Sequence, residues 1–138
     1  MTHSIPPTER SGRDQLARMR VYQLARKLLV YSWHDAEKLR HHQVTEKVSG
    51  QLYAAVGSIA ANLGEGYSRS SGRDRARIFE YALSSVRESM TWYRSGEPIL
   101  GVELVQDRLD ILEEMRRLLL AIIPRERDRL IRPSGPLK

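Results

Sequence analysis

Arginine supplies most of the chemistry available to this chain. Of 23 basic residues all but Lys27, Lys38, Lys47 and Lys138 are arginine, and two groups stand out by spacing: Arg69, Arg73, Arg75 and Arg77, and Arg125, Arg127, Arg129 and Arg132. A guanidinium offers a planar fork of donors that matches phosphate oxygens, so clustered arginines point to contact with a nucleic-acid backbone. The first group falls where a helix should begin. The helix dipole is already positive there and disfavours cations, so an anion should compensate them, and free N–H groups at such a terminus bind phosphate. The first group comes with no side-chain set for reading base edges. Intramolecular pairs with Asp74, Glu80 and Glu88 compete with this reading in the first group, as does a solvated helix end, interleaved with Glu126 and Asp128, in the second.

Other chemistry is poorly supported. The chain has no cysteine, which removes disulfides, thiol catalysis and thiolate metal sites and makes the cytoplasm the expected compartment. Of His3, His34, His41 and His42, only the last two cluster, with Glu37 four residues before His41. A bundle metal site needs inward carboxylates from several helices, and no such set is evident. No phosphate-loop motif occurs, Gly64-Glu65-Gly66 lacks the strand and third glycine of a dinucleotide fingerprint, and Ser84 and Ser85 have no histidine in reach. The expectation is a protein without enzymatic activity, cofactor or metal.

With 138 residues, 41% hydrophobic and 29% charged, one folded domain is expected, and a net charge of +6 favours an acidic partner. No apolar run approaches the roughly 20 residues of a membrane span. Proline is absent between Ser11 and Glu97, and apolar residues recur at helical spacing. The pattern predicts helices over about 12–39, 45–65, 71–95 and 102–123. Thr45 and Ser71 are the expected N-caps, Gly66 is a stop that permits a left-handed turn, and Pro124 ends or kinks the last helix. Residues 1–11 and 133–138 read as disordered tails around a bundle over 12–132. The fold class is all-α, an up-down-up-down four-helix bundle.

Several helices carry more apolar surface than one core requires. Ile78, Tyr81 and Trp92 form a second patch on the third helix, and Leu104, Ile111 and Leu118 widen the stripe of the fourth. Gly50, Ala54, Gly57, Ala61 and Gly64 place five small residues on one stripe of the second. Each interior helix glycine costs about 1 kcal/mol relative to alanine, a loss that close helix contact would recover. Together these surfaces predict self-association through an oligomer interface.

The segment Ser58-Ile59-Ala60-Ala61-Asn62-Leu63-Gly64-Glu65-Gly66-Tyr67-Ser68-Arg69 resembles the Ser-Ile-x-x-Asn-Ile-x-Glu-Gly-x-x-Arg motif of the four-helix-bundle family that includes the 23S rRNA intervening-sequence proteins. Val21 to Ala25 is similar to the family's opening, and Arg77 to Glu88 to its third helix, so the likeness covers about 18–123. The chain departs from the family after Arg94, where Ser95-Gly96-Glu97-Pro98 replaces an apolar turn. The family also includes accessory variability proteins of diversity-generating retroelements, pentameric barrels that bind a reverse transcriptase and its nucleic acid. The resemblance implies a ring-shaped, pentameric, non-enzymatic adaptor with RNA or DNA, and a nucleic-acid enzyme such as a reverse transcriptase, as partner. The alternative is a structural or regulatory bundle whose partner is protein. Ser58 belongs to the motif by resemblance; read from the residues, Asn62, Glu65, Gly66 and Tyr67 make a fixed helix-to-helix turn, with a ligand site as the alternative, and Glu65 opposes its helix dipole with Arg69 as the nearest cation.

Overall fold

The computed structural model describes residues 15–129; the two expected tails and Arg132 lie outside them. A 3-10 turn, Gln15–Arg18, precedes α1 (Arg20–Arg40), α2 (Glu46–Tyr67), α3 (Gly72–Ser95), the single turn α4 (Glu97–Leu100) and α5 (Val102–Arg127). The four long helices alternate in direction. α2 packs on α1 and α3, and α3 packs on α5, while a lighter α1–α5 contact closes the bundle.

One apolar stripe from each helix makes the core. Val21, Leu24 and Leu28 come from α1, Leu52, Val56, Ile59 and Leu63 from α2, Phe79, Ala82 and Val86 from α3, and Leu112, Met115 and Leu119 from α5. Their spacings of three and four residues are what a helix needs to turn one face inward. The Ser71 hydroxyl accepts from the Asp74 N–H at 3.1 Å, the expected cap for α3. Thr45 precedes α2 but caps nothing: its hydroxyl donates to the Leu39 carbonyl at 2.7 Å and so ties the α1–α2 turn to α1. At Gly101 φ is 93°, a left-handed conformation that glycine adopts without penalty, and it redirects the chain from α4 into α5.

Three boundaries correct the sequence expectations. α1 starts at Arg20 because Met19 is extended. α5 continues through Pro124 to Arg127, since Ile123 is buried and the final turn is packed on the start of α3. Gly66 is helical and buried, and its φ is not positive. Its smallness serves packing, because a Cβ there would lie 2.7 Å from the Phe79 ring.

The apolar surplus is also redistributed. Ile78 and Ile111 are buried in the chain's own core, which removes them from any interface with a second copy; Trp92, Leu104 and Leu118 are half-buried against that core. Tyr81 stays exposed. Among the described residues the glycine stripe makes no close helix contact: a Cβ at Gly50 would meet nothing within 4 Å, one at Gly57 only the end of Leu29 at 3.9 Å, and one at Gly64 only the end of Leu16 at 3.7 Å. Gly50, Ala54 and Ala61 are exposed on α2, as are Tyr53 on α2 and Val30 and Trp33 on α1. The Trp33 and Tyr53 rings meet edge to face at 5.6 Å while both remain accessible.

Candidate nucleic-acid interface

The two arginine groups, some 50 residues apart in sequence, converge at one end of the bundle. α2 ends there and α3 begins, while the last turn of α5 backs onto the start of α3. Gly72 permits this approach, because a Cβ on it would collide with the Glu126 carbonyl oxygen. Side chains bridge the same junction: Arg127 pairs with Glu80 at 2.9 Å, and Arg75 stands 3.8 Å from Glu126.

Each arginine has its own situation. Arg69 pairs with Glu65 at 2.8 Å, the partnership expected for a carboxylate at the wrong end of a helix dipole. Arg77 donates to the Tyr81 hydroxyl at 3.2 Å and lies near Asp74, contacts that raise its pKa further and keep it charged. Arg129 pairs with Glu126 at 2.8 Å. Arg125 donates to its own helix, to the Ala121 carbonyl at 3.3 Å, and lacks a carboxylate partner among the described residues. Arg73 is exposed and makes no side-chain hydrogen bond or ion pair among them. Exposed pairs such as Arg127–Glu80 contribute about 0–1 kcal/mol, so a phosphate can displace the carboxylate at small cost.

Arg75 departs from the expected role. Its Nε donates to the Arg69 carbonyl at 3.0 Å and its Nη2 to the Tyr67 carbonyl at 2.7 Å, with the guanidinium 4.7 Å from the centre of the Tyr67 ring. It satisfies carbonyls at the end of α2 and fixes the α2–α3 turn, so it is a structural residue of the site and not a free phosphate ligand. The motif is accounted for in the same way. Leu63 and Gly66 are in the core, Tyr67 lies under Arg75, Ser58 and Asn62 are half-buried on α2, and Glu65 holds Arg69.

Two clefts open on this end. One, of about 530 Å³, is bounded by Ser71, Arg73, Asp74, Arg77, Glu80 and Arg127. A larger one, of about 620 Å³, lies between the α2–α3 turn and α5.

A polar cluster that the sequence reading missed lies towards the other end. Asp35, 1% exposed, accepts from the Tyr93 hydroxyl at 2.7 Å and from Arg108 Nε at 2.8 Å and Nη2 at 3.2 Å. Arg108 covers the Tyr31 ring at 4.3 Å. Burial drives the Tyr93 hydroxyl far above the ordinary phenol range, and the Asp35 charge pushes the same way, so it remains a donor. The cluster ties α1, α3 and α5 together. Its signal was present in the sequence: Leu28, Ser32, Asp35 and Leu39 keep the core spacing of α1. Among the described residues no group of histidines and carboxylates could hold a metal ion, and no helix is long and apolar enough to cross a membrane.

Comparison with known proteins agrees with this architecture. A crystal structure at 1.70 Å resolution of a protein of unknown function from Bacteroides thetaiotaomicron, of the S23 ribosomal protein family, superposes with a TM-score of 0.70. It is 22% identical and is matched over 75% of this chain and 97% of its own, a likeness of fold. No curated protein matches significantly. The sequence model of the 23S rRNA-intervening sequence proteins matches residues 17–121, nearly all of the four-helix bundle, and the chain therefore belongs to the 23S rRNA-intervening sequence protein family.

Proposed function

We propose that the chain is a non-enzymatic adaptor that binds RNA or DNA through the phosphate backbone at the basic end of the bundle. The observation that carries this reading is the convergence of Arg69, Arg73 and Arg77 with Arg125, Arg127 and Arg129 on one surface, where packing of the α5 terminus against the α3 terminus holds both groups together. Five carboxylates, Glu65, Asp74, Glu80, Glu126 and Asp128, temper the charge of that end. Binding is accordingly moderate per subunit and gains from repetition in an assembly.

The assembly in this reading is a homo-oligomer, a pentameric ring as the family resemblance implies. Its contact surface is the outer face of α1 and α2, where Val30 is 62% and Trp33 53% exposed on α1 and Gly50, Ala54 and Ala61 are exposed on α2. A nucleic-acid enzyme such as a retroelement reverse transcriptase is the protein partner this adaptor would serve. The same aromatic face also favours a second reading, a structural or regulatory bundle that docks a protein and touches no nucleic acid.

Fluorescence anisotropy with labelled RNA and DNA at low salt separates the two. Binding that weakens when Arg73, Arg77, Arg125 and Arg127 are replaced together by Gln supports the adaptor. Absence of binding by the wild type to either nucleic acid leaves the protein-docking reading.

A further inference from the structure

We propose that the larger cleft at the basic end receives an unstacked nucleobase, which makes a single strand, and not a duplex, the ligand of this surface. The inference rests on the phosphate-binding reading above and specifies its substrate class.

A site for phosphate alone needs cations and N–H groups but no apolar hollow, since a phosphate is costly to strip of water. Here the arginines stand over one. Met19 and Ile122 line the cleft with apolar surface over the buried Phe79, and Arg125 and Arg129 stand beside them. A volume of about 620 Å³ is within the range of small-ligand pockets. An apolar hollow bordered by cations fits a ligand that joins a flat ring to flanking anions, as one nucleotide of a strand does.

The wall of the cleft strengthens the case. Tyr67 and Arg75 both line it, and Arg75 is held in place by its two carbonyl bonds. Aromatic rings and guanidinium planes are the surfaces on which unstacked bases settle. Glu126 is the one carboxylate among the lining residues. Its Oε2 accepts from Arg129, while Oε1 is buried without a hydrogen-bond partner, the Arg75 Nη1 standing 3.8 Å away as an ion pair beyond hydrogen-bond reach. Given a small turn of that side chain, a base amino group supplies the missing donor. In a duplex the base is stacked and its pairing edge is occupied, so neither the hollow nor the carboxylate is reached.

The test is anisotropy with the full chain at fixed salt, using one labelled RNA strand alone and the same strand in a duplex. Base stacking of ordinary strength predicts that the single strand binds at least about tenfold tighter. Uridine homopolymer, which offers no amino group, should be the weakest single strand. Ile122→Trp and Met19→Trp fill the hollow from two helix ends without removing an arginine; each variant that keeps its helical melt should bring the ratio of the two affinities to about one and leave duplex binding unchanged. Equal affinities in the wild type, a ratio unmoved in a folded variant, or tightest binding to uridine homopolymer would overturn the cleft proposal while phosphate binding stood. Absence of binding to either probe would remove both.

Discussion

Gly66 and Gly50 show how differently one residue type can act within a single helix. A methyl group at Gly66 would meet the Phe79 ring, and one at Gly50 would meet nothing within 4 Å among the described residues. Gly66→Ala should therefore cost about 1–3 kcal/mol through overpacking, whereas Gly50→Ala should gain up to about 1 kcal/mol from helix propensity. Thermal melts of the two variants check this, and a loss of stability in Gly50→Ala would mean that something covers the stripe. The Asp35 cluster gives a second prediction. Asp35→Ala leaves Arg108 mostly buried without its main partner and should cost about 3–5 kcal/mol, whereas Tyr93→Phe should cost about 1 kcal/mol because Arg108 still holds the carboxylate. Denaturant melts in which both variants lose the same amount would contradict that division of roles. Asp35 was legible by position and obscured by type: it continues the core stripe of α1, but a carboxylate is normally assigned outward when no partner is visible in sequence.

The four long helices were legible because proline-free periodicity is a local signal and each helix carries it. What depends on contacts between distant segments was not. Proline forfeits one hydrogen bond, and nothing local reveals that the buried Ile123 and the abutting Gly72 hold α5 in register beyond Pro124. Ile78 and Ile111 looked surplus for the same reason: the width of an apolar arc is visible in sequence, and the neighbour that covers it is not. The arginines were found by spacing, but the division between Arg75, which serves the carbonyls of Tyr67 and Arg69, and Arg73, which serves none, required the fold. One element-scale prediction follows from the α3 cap. Ser71→Ala removes the acceptor of the Asp74 N–H and should lower stability by about 1 kcal/mol, while Ser71→Asp should preserve it. Equal melts for Ser71→Ala and the wild type would show that the cap contributes nothing.

At the scale of the whole molecule, the proposed assembly would use α1 and α2, where the Trp33 and Tyr53 rings and Gly50, Ala54 and Ala61 are exposed. Light scattering at micromolar concentration should give a mass several times the 15.9 kDa of one chain, and Trp33→Glu should reduce it towards one chain while leaving the fold intact, since that ring is outside the core. A wild-type mass near 15.9 kDa would remove the ring. The basic end is tested most directly by salt. If arginines from both ends of the α3–α5 junction neutralise phosphates, the logarithm of RNA affinity should fall linearly with the logarithm of salt concentration, by about 0.7 per phosphate contacted on a single strand. Replacing Arg73, Arg77, Arg125 and Arg127 by Gln, with Arg75 kept to hold the turn, should flatten that slope without changing the melt. An unchanged slope in the folded variant, or a wild-type affinity that does not vary with salt, would contradict the assignment of this surface to the nucleic-acid backbone.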